Sequence, residues 1–130
     1  MDSPPKVLVV EDFADLRRLV ASYLDSRGYQ VFEAANGKIA IQTARSEKPH
    51  LILLDIRLPD INGVDVIREL RQLSETKHVP IVGWSAESES NPQREMLRRA
   101  GISDYIQKPT SLKQLDAVIK RFLPESKQQH

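Results

Sequence analysis

The chain is predicted to fold as a doubly wound α/β domain, a five-stranded parallel sheet covered by helices on both faces. Two observations carry this. Short apolar runs such as Val7-Leu8-Val9-Val10 and Leu51-Ile52-Leu53-Leu54 have the length of strands and lack the polar alternation of a half-exposed sheet. Between such runs apolar residues recur at helical spacing, and the strand and helix patterns alternate five times along the 130 residues. Right-handed crossovers then restrict the topology to a few arrangements.

Each element has its own signal. Val7 to Val10 forms the first strand and runs into Glu11-Asp12. Phe13, Leu16, Leu19, Val20, Tyr23 and Leu24 follow at helical spacing, and Gly28 stands where a left-handed helix cap belongs. Tyr29 to Ala34 is the second strand, with Val31 as its expected inward centre. Asn36-Gly37 punctuates the chain, Ile39, Ala40, Ile41 and Ala44 mark a second helix, and Pro49 stops it. Leu51 to Leu54 is the third strand, ending in Asp55 and followed by the turn residues Pro59, Asp60, Asn62 and Gly63. Val64, Ile67, Leu70 and Leu73 face one side of a third helix. Val79 to Trp84 is the fourth strand, with Pro80 near its start, where a missing N–H is tolerable. Pro92 suits a first helical turn, and Met96, Leu97 and Ala100 supply that helix's apolar face before Gly101. Asp104 to Gln107 is a short fifth strand, and Leu112, Leu115, Val118, Ile119 and Phe122 define the last helix. The whole chain, 1–130, reads as one domain with its core at about residues 5–123 and a polar tail at 124–130.

Composition narrows the function. Lys plus Arg is 19 and Asp plus Glu is 18, a net charge of +1, so no bulk field draws the chain to nucleic acid or to a membrane surface. The absence of cysteine excludes disulfides and thiolate metal sites and is compatible with a reducing cytoplasm. No apolar run approaches the length of a membrane span. A cytoplasmic monomer or weak dimer is expected.

In such sheets ligands sit beyond the carboxyl ends of the strands. Glu11 and Asp12 end the first strand, Asp55 the third and Ser85 the fourth, while Lys108 follows the fifth. Taken singly each is ordinary: Asp55 a cap or turn former, Glu11-Asp12 a pair complementing a helix dipole, Ser85 a turn hydroxyl, Lys108 a surface lysine. Together they place three carboxylates, a hydroxyl and an ammonium at one rim. Crowded carboxylates have raised pKa values or hold a cation, and an oxygen-only donor set favours Mg²⁺ or a similar hard ion, Mn²⁺ included. An ammonium and a hydroxyl opposite that cation suit the remaining oxygens of a phosphoryl group. The chemistry this predicts is transfer of a phosphoryl group onto Asp55 as nucleophile. Tyr105, on its own, is as well read as edge-strand packing. Trp84 is read as core or crevice wall, and His50, His78 and His130 have no partners at metal-ligand spacing.

The segments Val7-Leu-Val-Val-Glu11-Asp12, Leu51-Ile-Leu-Leu-Asp55 with Leu58-Pro59-Asp60 and Asn62-Gly63, Pro80-Ile-Val-Gly-Trp-Ser85-Ala86, and Asp104-Tyr-Ile-Gln-Lys108-Pro109 resemble, in order and spacing, the receiver domain of two-component response regulators, of the single-domain, chemotaxis-Y-like kind. The resemblance implies a flavodoxin-like sheet in the order 2-1-3-4-5 with five helices. It implies that Asp55 accepts a phosphoryl group from a phosphohistidine on a sensor histidine kinase or a histidine phosphotransfer domain. Glu11, Asp12, an Asp55 oxygen and the main-chain carbonyl of Arg57 would hold Mg²⁺. Ser85 and Lys108 would bond phosphoryl oxygens, Tyr105 would be an aromatic switch turning inward as Ser85 moves, and the Lys108–Pro109 peptide would be cis. The chain departs from the family mildly. Ser85 stands where Thr is commoner, Glu11 where Asp is commoner, and Thr110 where many relatives have Phe, which points away from DNA-binding regulators.

With no residues for an effector domain after Phe122, the expected output, unless the chain is excised from a larger protein, is binding of a downstream protein to the face made by the fourth helix, fifth strand and last helix, without direct contact to nucleic acid or membrane. Arg57 and Glu87, each two residues beyond a strand-end site residue, are expected to pair across the crevice and to shield the acyl phosphate from water. Three rivals stand beside this reading. A haloacid-dehalogenase-type phosphatase would carry a DxD motif after the first strand, and a flavin binder would carry a Ser/Thr/Gly-rich phosphate loop there; Glu11-Asp12 fits neither. A receiver-shaped interaction module that is never phosphorylated is the alternative that chemistry must decide.

Overall fold

The computed structural model describes residues 3–85 and 90–123. Ten elements alternate along the chain: β1 (Lys6–Val10), α1 (Ala14–Ser26), β2 (Gln30–Ala34), α2 (Gly37–Glu47), β3 (Leu51–Asp55), α3 (Gly63–Gln72), β4 (Ile81–Ser85), α4 (Asn91–Ala100), β5 (Asp104–Gln107) and α5 (Leu112–Phe122). All strands are parallel, in the order β2-β1-β3-β4-β5. This is the doubly wound architecture expected from the alternating patterns, in the flavodoxin-like strand order that the resemblance implies.

Burial on both faces explains the uninterrupted apolar runs. Alternate residues of each central strand serve opposite cores. Leu8, Val10, Ile52, Leu54 and Ile81 pack against α2, α3 and α4, through Ala40, Ala44, Ile67, Leu70 and Leu97. Val7, Val9, Leu51, Leu53, Val82 and Trp84 pack against α1 and α5, through Val20, Leu24, Leu115 and Ile119. Each fully buried Leu, Ile or Val contributes roughly 1.5–3 kcal/mol relative to exposure.

Helix ends follow their local chemistry. Asn36 and Asn62 accept from the main-chain N–H groups of Ile39 and Val64 and so start α2 and α3. Ser90 and Ser111 form capping boxes with Gln93 and Gln114. Gly28, at φ +100°, ends α1: its N–H donates to Asp25 O and the next N–H to Leu24 O, a closure that needs the left-handed conformation.

Some expectations fail at the periphery. Val31 is only half-buried, because β2 is an edge strand and the burial is carried by Tyr29, just before it, and by Ala34 at its end. Phe13 and Leu19 are 60% and 54% exposed: Phe13 caps α1 from outside the helix, and Leu19 lies one step round it from the buried Val20. Met96 is 48% exposed, because Leu97 and Ala100 alone fill the contact of α4 with the core. Ile39 is likewise turned outward, at 41%. The fourth strand begins at Ile81 rather than Val79, since the Val79 carbonyl is taken by the guanidinium of Arg71. The polar tail at 124–130 lies outside the described residues.

Candidate functional site

The chain leaves β1 to build β2 on one side and returns to build β3 on the other, so the strand order reverses between β1 and β3. Loops splay apart at such a point and leave a crevice beyond the carboxyl ends. Asp55, the last residue of β3, stands there with Glu11 and Asp12, which follow β1. One carboxylate oxygen from each of the three lies within 4.8 Å of the others. Asp55 and Glu11 are buried, while Asp12 is exposed at the rim.

The buried carboxylates are held by named donors. Asp55 Oδ1 accepts from the Arg57 N–H at 2.9 Å, which fixes the plane of the carboxyl group. Glu11 Oε2 accepts from the Phe13 N–H at 3.0 Å. Arg17 donates from Nη1 to the Glu11 carbonyl at 2.8 Å and from Nε to Glu33 at 3.0 Å, tying the turn after β1 to β2. Lys108 closes the site from β5: its Nζ is 2.6 Å from Glu11 Oε1 and 3.5 Å from Asp55 Oδ2. The N–H of the same lysine donates to the Ser85 carbonyl at 2.6 Å, and the Lys108–Pro109 peptide is cis.

Burial sets the charge state of Asp55. Desolvation, with a smaller contribution from the Glu11 charge, pushes its carboxyl up to about 6, against the opposing pull of the Arg57 N–H and the Lys108 ammonium. Three carboxylates face one ammonium, and every donor is an oxygen. That set suits a hard divalent cation in place of protonation.

Ser85 ends β4 fully buried, one residue beyond Trp84, which is the register partner of Asp55. Tyr105 pairs in register with Gly83 on the outer strand, is half-buried, and has the guanidinium of Arg94 5.2 Å from its ring centroid. Gly83 is required there: a Cβ would lie 2.4 Å from Ile102 Cδ1 and 3.1 Å from Ile56 Cδ1, and 3.4 Å from the Tyr105 ring. Arg57 forms an isolated bridge with Asn62 and lines a cleft of about 150 Å³ with Ile56, Val64, Gln93, Met96 and Leu97. Glu87, its expected partner, lies outside the described residues, as does Ala86.

The structure therefore brings Glu11, Asp12, Asp55 and Lys108 together and sets Ser85 and Tyr105 on the adjoining strands. Several supports escaped sequence reasoning. Asp60 reaches across to accept from Gly37 N and Lys38 N at 2.8 and 3.0 Å, and the Gly37 N–H leads in holding its carboxyl below the usual range. Gly63 packs so closely that a Cβ would meet the Ile56 carbonyl oxygen at 2.7 Å. The Asn62-Gly63 pair carried a turn signal, but nothing in it named Ile56 as the neighbour.

Comparison with known proteins places the chain in one family. The family profile described as "Response regulator receiver domain" matches residues 7–120. The polar-differentiation response regulator DivK of Brucella anthropi is 32% identical over 123 residues, covering 95% of this chain and 99% of its own length. The chain spans about half the length of the transcriptional regulators it also matches. Among solved structures, the chemotaxis response regulator CheY4 of Vibrio cholerae superposes with a TM-score of 0.85 at 27% identity, over 92% of this chain and 98% of its own. The receiver domain of a Pseudomonas aeruginosa sensor histidine kinase, solved with a magnesium ion coordinated in the active site cleft, gives a TM-score of 0.83 at 31% identity, again over 92% and 98%.

Proposed function

The chain belongs to the response regulator receiver domain family, and on that premise we propose that it is a phosphorelay receiver that takes a phosphoryl group onto Asp55. The observation that carries this reading is the position of Asp55: buried at the strand-order reversal, with its carboxyl plane fixed by Arg57 N–H and the ammonium of Lys108 3.5 Å from one oxygen. A carboxylate in that setting is held still and is only partly neutralised, which suits it to attack phosphorus.

The donor is a phosphohistidine of a sensor histidine kinase or histidine phosphotransfer domain. The Asp55 oxygen forms the new P–O bond as the P–N bond to the imidazole breaks, and the nitrogen leaves with the electron pair. Glu11, Asp12, Asp55 and the Arg57 carbonyl would hold Mg²⁺; Mn²⁺ suits the same donors. When bound it supplies positive charge against the phosphoryl oxygens. The magnesium ion in the cleft of the sensor-kinase receiver domain supports this choice of metal. Lys108 pairs with one phosphoryl oxygen and Ser85 with another. Tyr105 follows Ser85 inward, and the face formed by α4, β5 and α5 changes its affinity for a downstream protein. The protein is a phosphoacceptor in signalling rather than an enzyme acting on a separate substrate. We place it in the cytoplasm as a single domain over 1–130, monomeric or weakly dimeric; among the described residues no helix is long and apolar enough to cross a membrane.

Incubation with acetyl phosphate and Mg²⁺, read by intact mass, tests the reading. The wild-type chain is expected to gain one phosphoryl group and Asp55→Asn none. A wild-type chain that gains no mass would instead mark a receiver-shaped interaction module.

A further inference from the structure

We propose that Trp84 is a positioning residue for Lys108, its indole face serving as a seat for the ammonium beside the two carboxylates. This rests on the phosphoacceptor reading above. Lys108 Nζ lies 4.4 Å from the Trp84 ring centroid, inside the range in which a cation is attracted to an indole face. Its other partners among the described residues are Glu11 Oε1 at 2.6 Å and Asp55 Oδ2 at 3.5 Å. Both carboxylates change partners during the proposed reaction, Glu11 on cation binding and Asp55 on phosphorylation. The ring changes neither charge nor place. It is the one contact of the three that keeps its strength through the cycle.

Two further observations favour the ring face over mere filling of volume. Trp84 is 3% exposed, yet its Nε1–H is buried and finds no hydrogen-bond partner among the described residues. A buried unpaired donor is a cost that Phe or Leu at the same place would avoid. The surroundings also leave the lysine stem bordering open space. Lys108 and Trp84 line a cavity of about 360 Å³ with Leu16, Pro109 and Thr110. On that flank the indole supplies the contact that keeps the ammonium near Asp55. The backbone that carries the ring is held in register between Asp55 on one side and Ile106 on the other, and the side chain packs in the core with Val20 and Leu115.

A graded series separates positioning from packing. Trp84→Phe retains a weaker aromatic face and Trp84→Leu retains none. With acetyl phosphate and saturating Mg²⁺, the rate of mass gain is expected to fall in the order wild type, Phe, Leu, with Leu slower by roughly fivefold or more. Melting temperatures taken on the same samples report the packing loss separately. Equal rates in all three proteins, or Phe as slow as Leu, would overturn the proposal. A second arm needs no phosphorylation. Trp84 is the single tryptophan, so in metal-free protein Lys108→Met is expected to change its emission intensity and maximum by removing the charge above the ring. An unchanged spectrum overturns the seat. A wild-type chain that gains no phosphoryl group sinks the functional reading instead, and the spectral arm then decides whether Trp84 holds Lys108.

Discussion

Asp55→Asn is expected to stabilise the metal-free protein at pH 8 and to leave its stability unchanged near pH 4. The cause is the buried carboxyl, whose pKa rises from 3.8 to about 6 on folding. A raised folded value means that the native state binds the proton more tightly than the unfolded chain. The stability this confers is fully present below pH 3.8 and is lost as pH rises through about 6. A shift of about two units at 1.36 kcal/mol each sets an upper figure near 3 kcal/mol, and partial solvation at the crevice reduces it to about 2 kcal/mol. Asparagine keeps an oxygen for the Arg57 N–H and never ionises, so it escapes the loss. Lys108 retains Glu11 as its partner. Urea unfolding in EDTA, at half-unit steps from pH 4 to pH 8, reads the difference between the two proteins and cancels the other titrations they share. Near the upper pH the gain corresponds to roughly 5–8 °C in melting temperature for a domain of this size. Saturating Mg²⁺ should then close the gap, because a cation at one hundred times its dissociation constant contributes about 2.7 kcal/mol to whichever protein binds it. A difference that is flat with pH, or a variant less stable than wild type at pH 8, would refute the reasoning.

Other substitutions test the supports of the site. Arg71→Ala is expected to cost about 3 kcal/mol by urea unfolding, since the guanidinium serves the carbonyls of Gly101, Val79, Thr76 and Lys77; Arg71→Lys should recover only part, lacking the forked donors. Gly63→Ala places a Cβ 2.7 Å from the Ile56 carbonyl oxygen and 2.9 Å from its Cα. Backbone cannot yield as a side-chain tip does, so a loss of about 1–3 kcal/mol is expected together with weaker Mg²⁺ binding in calorimetry. Tyr29→Phe removes the hydroxyl that donates to the buried Asp116 at 2.9 Å. It should cost about 1–2 kcal/mol while leaving Mg²⁺ affinity unchanged, because Tyr29 precedes β2 at the opposite end of the sheet from Asp55.

What the sequence showed follows from where each signal is local. Val7–Val10 and Leu51–Leu54 are legible because burial on both faces demands unbroken apolar runs, and no other short element does. Glu11, Asp12, Asp55 and Lys108 are legible as a set because parallel strands put all their carboxyl ends at one rim. Which carboxylate Lys108 prefers is not legible: Glu11 lies 97 positions away, and its choice over Asp55 turns on side-chain reach across two strands. Arg71 is equally hidden, since a basic residue in the last turn of a helix reads as a solvent-facing complement to the dipole. Its four carbonyl acceptors come from segments with no pattern of their own. Trp84 is legible as core or crevice wall, but its register beside Asp55 and its face toward the ammonium need the sheet to be built first.

The charge count of the site explains why it should respond to a cation at all. Three carboxylates against one ammonium leave a formal charge of −2 in a crevice where two of the acids are buried. The molecule meets that imbalance in part by raising the proton affinity of Asp55 and in part by drawing Lys108 onto Glu11. A divalent cation removes both needs at once. On the proposed reading it would favour the ionised form of Asp55 down to lower pH, and it would compete with Lys108 for Glu11, leaving the ammonium to Asp55 and the ring of Trp84. The proposed phosphorylation would then add negative charge where Lys108 already stands. If the proposed function holds, the electrostatics favour one order: cation first, lysine transfer second, phosphoryl group third.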